Sequence, residues 1–143
     1  MEHQISQIGT LLKKIYKIYS NSLLEKLQDR GFTDLRISFL EVLNFISYND
    51  GGSIKAIGIG CGLKKQTMTS HLNELVKRGY IKREKGRTDR REQNIFLTTY
   101  GQEFRIALNE SSKELDQHYS HLVGDVELER LLSILRRTHD RLL

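Results

Sequence analysis

The sequence contains no proline and no tryptophan, and it has a single cysteine among its 143 residues. Because proline is the strongest helix breaker, its absence favours long helices that are separated by glycine-rich turns. One cysteine, Cys61, excludes an internal disulfide framework and is compatible with a reducing compartment. We therefore expect a helix-rich cytoplasmic protein.

Long apolar runs and enzyme motifs are also missing. No stretch approaches about 20 uninterrupted apolar residues, so we expect no transmembrane helix, and the N-terminus does not resemble a signal peptide. No glycine-rich phosphate loop, Ser/His/Asp order or metalloprotease spacing occurs. The sequence therefore predicts one domain that is not an enzyme, with no catalytic residues, cofactor, metal or membrane partner.

Positive charge is concentrated in one segment. Residues 64–91 contain ten Lys or Arg and three acidic residues, a net charge of +7, whereas the whole chain carries only +5. A patch this concentrated indicates a polyanionic partner rather than a generally basic surface. A solvated charged face is the alternative, but these charges coincide with a predicted helix start and a hairpin tip.

Apolar spacing predicts four helices before the hairpin. They cover about residues 4–29, 34–48, 54–59 and 64–78. We expect Thr33 to cap the second helix and Ser53 to cap the third, because both are good acceptors for free amides. In the third helix, Ile54, Ile57 and Ile59 are expected to face inward.

Strands at about 80–84 and 93–98 form the predicted hairpin, and two helices follow it. Thr99 and Gln102 fit a capping box for a fifth helix that reaches about residue 122. A last helix begins at Asp125, with acidic residues in its first turn. The apolar surface of the helices near both termini exceeds what a small core needs, which favours a second copy as partner.

The fourth helix has a polar, basic start above an apolar underside. Met68, Leu72, Leu75 and Val76 form the underside. The polar residues can bond to base edges and phosphates, and we predict as DNA-binding Lys64, Lys65, Gln66, Thr67, Thr69, Ser70, His71 and Asn73. The two lysines are the expected phosphate anchors. Together with the short helix and the glycine turn before it, this helix is typical of a helix-turn-helix over about 53–78.

The segment from 62 to 104 resembles the MarR family of winged-helix transcriptional regulators. Arg87-x-Asp89-Arg90-Arg91 resembles the wing signature of that family, and Leu97-Thr98-x-x-Gly101 resembles the exit into the following helix. Weaker similarity begins at residue 31 and continues to residue 43, so the resemblance covers nearly the whole chain. One departure is Lys64, which stands where the family usually has a Ser or Thr helix cap.

The resemblance implies the fold class: mainly α with a small β-hairpin wing (α+β), a winged helix-turn-helix with N- and C-terminal dimerisation helices. The chain would be one MarR-type domain, with dimerisation helices at 1–30 and 100–143 around a DNA-reading module at 34–98 whose wing covers about 80–98. A homodimer would read a pseudo-palindromic double-stranded DNA operator. In the wing, Arg90 and Arg91 are the minor-groove candidates. Asp89 would orient an arginine through a charge-assisted hydrogen bond. Arg87 is the fourth residue of the wing that we predict to bind DNA.

The function implied is a sequence-specific regulator, a repressor released by a small aromatic effector. Aromatic residues that could line an effector pocket are Tyr16, Tyr19, Phe39 and Phe45. Because aromatics at helical spacing are more often core residues, they do not define an effector site.

Other functions remain open at this stage. Cys61 is either a small buried residue or a redox sensor, although it does not lie in the first helix as sensor cysteines of the family do. His118 and His121 follow Glu114 on one helix face and could hold a metal, with Glu25 or Glu41 joining only through folding. A winged-helix module that binds protein rather than DNA is the third alternative, and it predicts an apolar or acidic face on the fourth helix.

Overall fold

The computed structural model describes residues 3–85 and 93–143. Within these ranges it contains six α-helices and three short β-strands. The helices are α1 (Gln4–Asp29), α2 (Ile37–Tyr48), α3 (Ile54–Cys61), α4 (Lys65–Lys77), α5 (Thr99–Val123) and α6 (Asp125–Leu142), and the strands are β1 (Gly52–Ser53), β2 (Ile81–Lys85) and β3 (Gln93–Leu97). The predicted mainly helical architecture with one small hairpin is confirmed.

The three strands form an antiparallel sheet in the order β1-β3-β2. The predicted hairpin pairs Ile81 with Leu97 and Lys85 with Gln93. Strand β1 pairs Gly52 with Ile95 and was not predicted. A strand of two residues is too short to show a period of hydrophobicity. Its partner in the sheet lies more than 40 residues away in sequence, so only folding brings the two together.

The core lies between the second half of α1, α2, α4, the hairpin and the first half of α5. Fully buried side chains from these elements include Leu23, Leu43, Leu72, Ile95 and Phe104. Each such side chain contributes roughly 1.5–3 kcal/mol through removal of apolar surface from water. This core fixes the underside of α4, so that the opposite side of α4 is presented to solvent on a rigid base.

Two predicted helix starts differ from the structure. Helix α2 begins at Ile37 after Arg36, so Thr33 is not its N-cap. The expected first turn is instead used in tertiary contacts, because Leu35 is buried and Asp34 bonds to Tyr80 and Arg78. Helix α5 is capped by Thr98, one residue before the predicted Thr99.

Helix α3 begins as predicted, with the Ser53 side chain accepting a hydrogen bond from the Ala56 amide at 3.1 Å. Ile57 is fully buried and Ile54 packs at the edge of the core. The inward position predicted for Ile59 is wrong, since its side chain is 74% exposed. Two residues along a helix correspond to about 200° of rotation, so Ile57 and Ile59 cannot face the same core.

The underside of α4 is also close to the prediction. Met68, Leu72 and Leu75 are buried, but Val76 is 37% exposed and lies at the margin of the core. In the part of the chain that is described, no helix combines the length and the apolar character needed to cross a bilayer.

Candidate nucleic-acid interface

All the predicted DNA-binding residues of α4 and its cap except His71 are exposed. We call this set the recognition face; it consists of Lys64, Lys65, Gln66, Thr67, Thr69, Ser70 and Asn73. Gln66, Ser70 and Asn73 are spaced four and three residues apart, so their side chains lie in one stripe along the outer side of the helix. Buried Met68 and Leu72 alternate with them on the inner side. The result is a polar stripe on an anchored helix, with the dimensions that fit a major groove.

Two recognition-face residues already bond within the protein. The Thr69 hydroxyl donates to the Lys65 carbonyl oxygen at 2.9 Å, which leaves its oxygen free to accept. Asn73 Oδ1 accepts from the guanidinium of Arg83 on β2. Arg83 therefore lies beside the recognition face, although its sequence position in a strand gave no indication of this contact. It is a cation missing from the predicted set.

His71 occupies a different position from the rest of the predicted set. It is half-buried, and its ring stands edge-on to Phe39 with 5.2 Å between the ring centroids. The guanidinium groups of Arg36 and Arg78 lie over the same Phe39 ring, at 4.4 and 5.1 Å from its centroid. His71 thus packs between α4 and α2, and only its outer edge is available to a partner.

The start of α4 lacks a side-chain cap, as the sequence indicates. Lys64 is the N-cap residue, its backbone is extended, and its side chain accepts no hydrogen bond. The first-turn amides therefore remain available to an anion, and the partial positive charge of the helix dipole adds to the charge of Lys64 and Lys65. This combination suits a backbone phosphate.

The cations of the basic segment divide into two groups. Arg78 bonds to Glu74 at 3.0 Å, and Lys82 pairs with Glu84 at 3.1 Å, so both have local partners. Among the residues that the structure describes, Lys64, Lys65 and Lys77 form no ion pair. The uncompensated charge of α4 is therefore at its two ends and on the exposed side.

The four predicted wing residues, Arg87, Asp89, Arg90 and Arg91, lie outside the described residues. The strands on either side of them in the sequence, β2 and β3, are described: Lys85 pairs with Gln93, and β2 contacts α4. The roles of the four wing residues stay a prediction.

A polar junction ties the end of α4 to the start of α5. The Tyr80 hydroxyl donates to Asp34 Oδ1 at 2.7 Å, and Arg78 donates to the Asp34 carbonyl oxygen. The Thr98 hydroxyl donates toward the Tyr80 carbonyl oxygen at 3.1 Å, and Thr98 Oγ1 accepts from the Gly101 amide at 3.0 Å. Burial, followed by the bond to Asp34, raises the pKa of Tyr80, so this hydroxyl stays protonated and keeps its role as donor.

A cavity of about 520 Å³ lies between α1, α2 and the end of α3. Its walls include Tyr16 and Tyr19 from α1, Phe45 from α2, and Cys61. Three of the four aromatic residues considered as pocket lining are therefore brought together. Phe39 is not among them, because it is buried against His71.

Cys61 is half-buried at the edge of this cavity, with its sulfur 3.8 Å from the Glu41 carbonyl oxygen. Burial, with a smaller contribution from the Glu41 charge, raises the pKa of the Cys61 thiol. Reactive sensor cysteines need the opposite shift, because the thiolate is the nucleophile. The environment therefore favours a packing role.

Alkylation of Cys61 by iodoacetamide should be slower than alkylation of N-acetylcysteine at about pH 8, because a raised pKa leaves less thiolate. Each unit of pKa corresponds to about a tenfold loss of thiolate. The single cysteine allows the rate to be followed by mass spectrometry of the intact protein. Glu41→Gln should speed the reaction, and a native rate equal to that of the free thiol at every pH would contradict the assigned environment.

The residues considered for a metal are placed on the exposed side of α5. Glu114 bonds to Lys26 at 2.8 Å and to Arg30, and these bonds lower its pKa. His118 and His121 are exposed, and His118 packs beside Tyr119 with 5.8 Å between the ring centroids. Across the described ranges no group of three His, Cys, Asp or Glu is arranged to hold a metal ion. The carboxylate of Glu114 therefore joins α1 to α5.

Comparisons with known proteins agree with this geometry. A sequence profile described as "MarR family" matches residues 40–92. The chain is 29% identical over 128 residues to the HTH-type transcriptional regulator SarZ of Staphylococcus saprophyticus, covering 89% of this chain and 83% of the relative. It is 26% identical over 98 residues to a regulatory protein named for the hcr operon of Thauera aromatica; these residues are 68% of this chain and span 59% of that relative.

Solved structures show the same fold over nearly the full length. NMB1585, a MarR family regulator from Neisseria meningitidis, superposes with a TM-score of 0.72 at 26% identity, covering 99% of this chain and 94% of that chain. The structure of reduced AbfR bound to DNA gives a TM-score of 0.71 at 25% identity, with 96% and 93% covered. The predicted winged-helix fold class is confirmed. The profile match over residues 40–92 and these solved structures confirm the predicted resemblance to MarR family transcriptional regulators.

Proposed function

We propose that the chain is a cytoplasmic, dimeric, sequence-specific DNA-binding regulator that acts as a repressor. The observation that carries this proposal is the recognition face, an exposed polar stripe on α4 whose underside is locked into the core. It lies within the segment that holds a net charge of +7. Gln66, Ser70 and Asn73 are placed for base edges, and Lys64 and Lys65 for phosphates.

The surfaces of α1 and α6 support the dimer. The first half of α1 is exposed although it carries Ile5, Ile8, Leu11, Leu12 and Ile15. Helix α6 contains no buried residue, so its apolar side chains Leu131, Leu132 and Ile134 are exposed to water. Apolar area on this scale is costly in water and marks an interaction site. A second copy, related by a two-fold axis, would cover both helices and direct two recognition faces at a pseudo-palindromic operator.

The wing adds a second contact in this proposal. Arg90 and Arg91 at the hairpin tip would enter the minor groove, where arginine is favoured by narrow A·T-rich sequence. Asp89 would orient an arginine through a charge-assisted hydrogen bond, and Arg87 would add a further positive charge. Substituting either Arg90 or Arg91 by alanine should weaken operator binding.

The cavity between α1, α2 and α3 supports control by an effector. Its volume lies within the range of about 300–1,000 Å³ that is usual for small-molecule sites, and aromatic side chains form part of its wall. It touches α1, part of the proposed dimer surface, and α3, which supports α4. A small aromatic ligand there would change the separation of the two recognition faces, and this would release the DNA.

DNA binding should depend steeply on salt, and removing lysines of the recognition face should flatten that dependence. Fluorescence anisotropy with the labelled region upstream of the chain's own gene gives the affinity at several salt concentrations. Lys64→Gln with Lys65→Gln should lower the slope of log K against log salt by about two, since each phosphate contact contributes about one. The affinity at moderate salt should fall by at least about tenfold.

Lys113→Gln is the matched control, because Lys113 is exposed on α5 far from α4 in sequence. Its slope and affinity should equal those of the wild type. Binding that does not change with salt in the wild type would contradict the proposal and favour a module that binds protein.

A further inference from the structure

The cavity between α1, α2 and α3 carries a distinctive set of polar groups. Glu41 faces it and accepts a hydrogen bond from the Tyr16 hydroxyl. Among the described residues Glu41 has no ion-pair partner, and no lysine, arginine or histidine of the described chain lines the cavity. The lining is therefore an acidic one, with a single carboxylate that no cation of the described residues neutralises.

Two further polar atoms at the cavity are shielded from water and unsatisfied. Ser20, whose side chain is 2% exposed, and Asn44 both line the cavity. Within the described residues, neither Ser20 Oγ nor Asn44 Oδ1 has a hydrogen-bond partner. Buried polar atoms are rarely left without a partner, and the Asn44 carbonyl oxygen can be satisfied only by a donor. The Ser20 hydroxyl can donate or accept, whereas the Asn44 carbonyl oxygen can only accept, so the polar surroundings of the cavity include an acceptor without a donor.

The apolar part of the lining suits a cation as well. Tyr16, Tyr19, Phe45 and Tyr48 contribute aromatic surface, and the rings of Tyr16 and Tyr19 lie 6.4 Å apart with 50° between their planes. Aromatic faces carry a negative potential that attracts ammonium groups. A carboxylate-bearing ligand would meet Glu41 with no compensating positive side chain from the described lining, and burying such a charge unpaired is strongly unfavourable.

From this arrangement we infer that the effector of this protein is a small organic cation, an aromatic compound bearing a protonated amine. Its ammonium group donates to Glu41, and its ring lies among the tyrosines. The inference rests on the proposed effector control of DNA binding and specifies the chemistry of the ligand. It separates this chain from any relative whose effector is an aromatic acid.

The test compares two compounds that share a phenol ring and differ in charge. Tyramine, an amine, and 4-hydroxyphenylacetate, an acid, are titrated into the full chain by isothermal calorimetry, with 4-ethylphenol as the neutral reference. Tyramine should bind at least about tenfold more tightly than either of the others. Tighter binding of the acid, or no binding of tyramine up to about 10 mM, would overturn the inference.

Variants locate the site. Glu41→Gln keeps the shape of the side chain and should weaken tyramine binding at least about tenfold, while raising the relative affinity for 4-ethylphenol. Asn44→Leu should also weaken tyramine binding, and it provides a second measurement if the first variant alters packing. Glu25→Gln, an exposed position on α1, is the matched control and should bind tyramine as the wild type does. Equal tyramine affinity in Glu41→Gln and the wild type would place the amine elsewhere and overturn the inference.

Operator binding is measured on the same samples, with and without tyramine. Tight, salt-dependent DNA binding without any amine binding would remove this inference and leave the proposed function intact. Amine binding without DNA binding would do the opposite. Release of DNA by tyramine in the wild type, lost in Glu41→Gln, is the expected result.

Discussion

A chain carrying Leu12→Glu and Ile15→Glu should be a monomer and should lose operator affinity by more than about a hundredfold, because paired recognition gains about 10²–10⁴ over a single contact. Both side chains are exposed on the first half of α1, at 42% and 53%. They lie on one stripe of the helix with Ile5 and Ile8. In the proposed dimer that stripe is covered, and two carboxylates buried there would have no partner. Light scattering gives the mass, and anisotropy gives the affinity.

The control for this pair is Thr10→Glu with Lys17→Glu. These exposed residues lie on the opposite side of the same helix, so they add two glutamates away from the apolar stripe. The control should remain dimeric, with at most a small loss of affinity from its lower positive charge. A dimeric Leu12→Glu, Ile15→Glu chain with normal DNA binding would show that α1 is not part of the interface.

Gly101→Ala should lower the free energy of unfolding by about 3 kcal/mol or more, at the upper end of overpacking effects. A Cβ atom at residue 101 would lie 2.1 Å from the Tyr80 carbonyl oxygen and 3.0 Å from the Leu97 side chain. The oxygen belongs to the backbone and also accepts from the Thr98 amide at 3.0 Å, so it cannot move without breaking the junction. Thermal unfolding by circular dichroism should show a midpoint about 6–12 °C lower.

Gly58→Ala provides the matched substitution inside a helix. The nearest atom to its added Cβ is the Leu63 carbonyl oxygen at 3.9 Å, an ordinary contact. Because alanine is a better helix former than glycine by up to about 1 kcal/mol, this variant should be as stable as the wild type or more so. Both are measured at equal chain concentration, since dimer formation makes the midpoint depend on it. Equal midpoints for Gly101→Ala and Gly58→Ala would refute the packing argument.

Helix existence and type could be predicted from the sequence, whereas some exact starts could not. Ser53 caps α3 by accepting from the Ala56 amide three residues later, a bond between near neighbours that the local sequence can predict. Thr33 has the same local chemistry, but the residues after it are held by Tyr80 and Arg78, more than 40 residues away. Thr98 and Thr99 are equally good caps in sequence. The contact of Thr98 with the Tyr80 carbonyl decides between them.

The recognition face was predictable for a similar reason. A helix with three buried positions on one side must expose the residues between them, so Gln66, Ser70 and Asn73 follow from spacing alone. Contacts that depend on another element did not follow from it. The packing of His71 on Phe39 and the bond from Arg83 to Asn73 both join residues from different elements. The unsatisfied oxygens of the cavity belong to the same class, because only the folded chain shows which polar atoms lack a partner.

The junction at Tyr80 attaches α4, together with the core that holds its underside, to the start of α5. The 13 residues of α4 span about 20 Å, so Lys64 and Lys65 at its start lie about that far from the junction. If α5 turns by about 5° and the core moves with it as one body, these two lysines move through about 2 Å. That distance is most of a hydrogen-bond length, so a modest tilt at the dimer helices is enough to take the tip of α4 out of register with the phosphates of a groove.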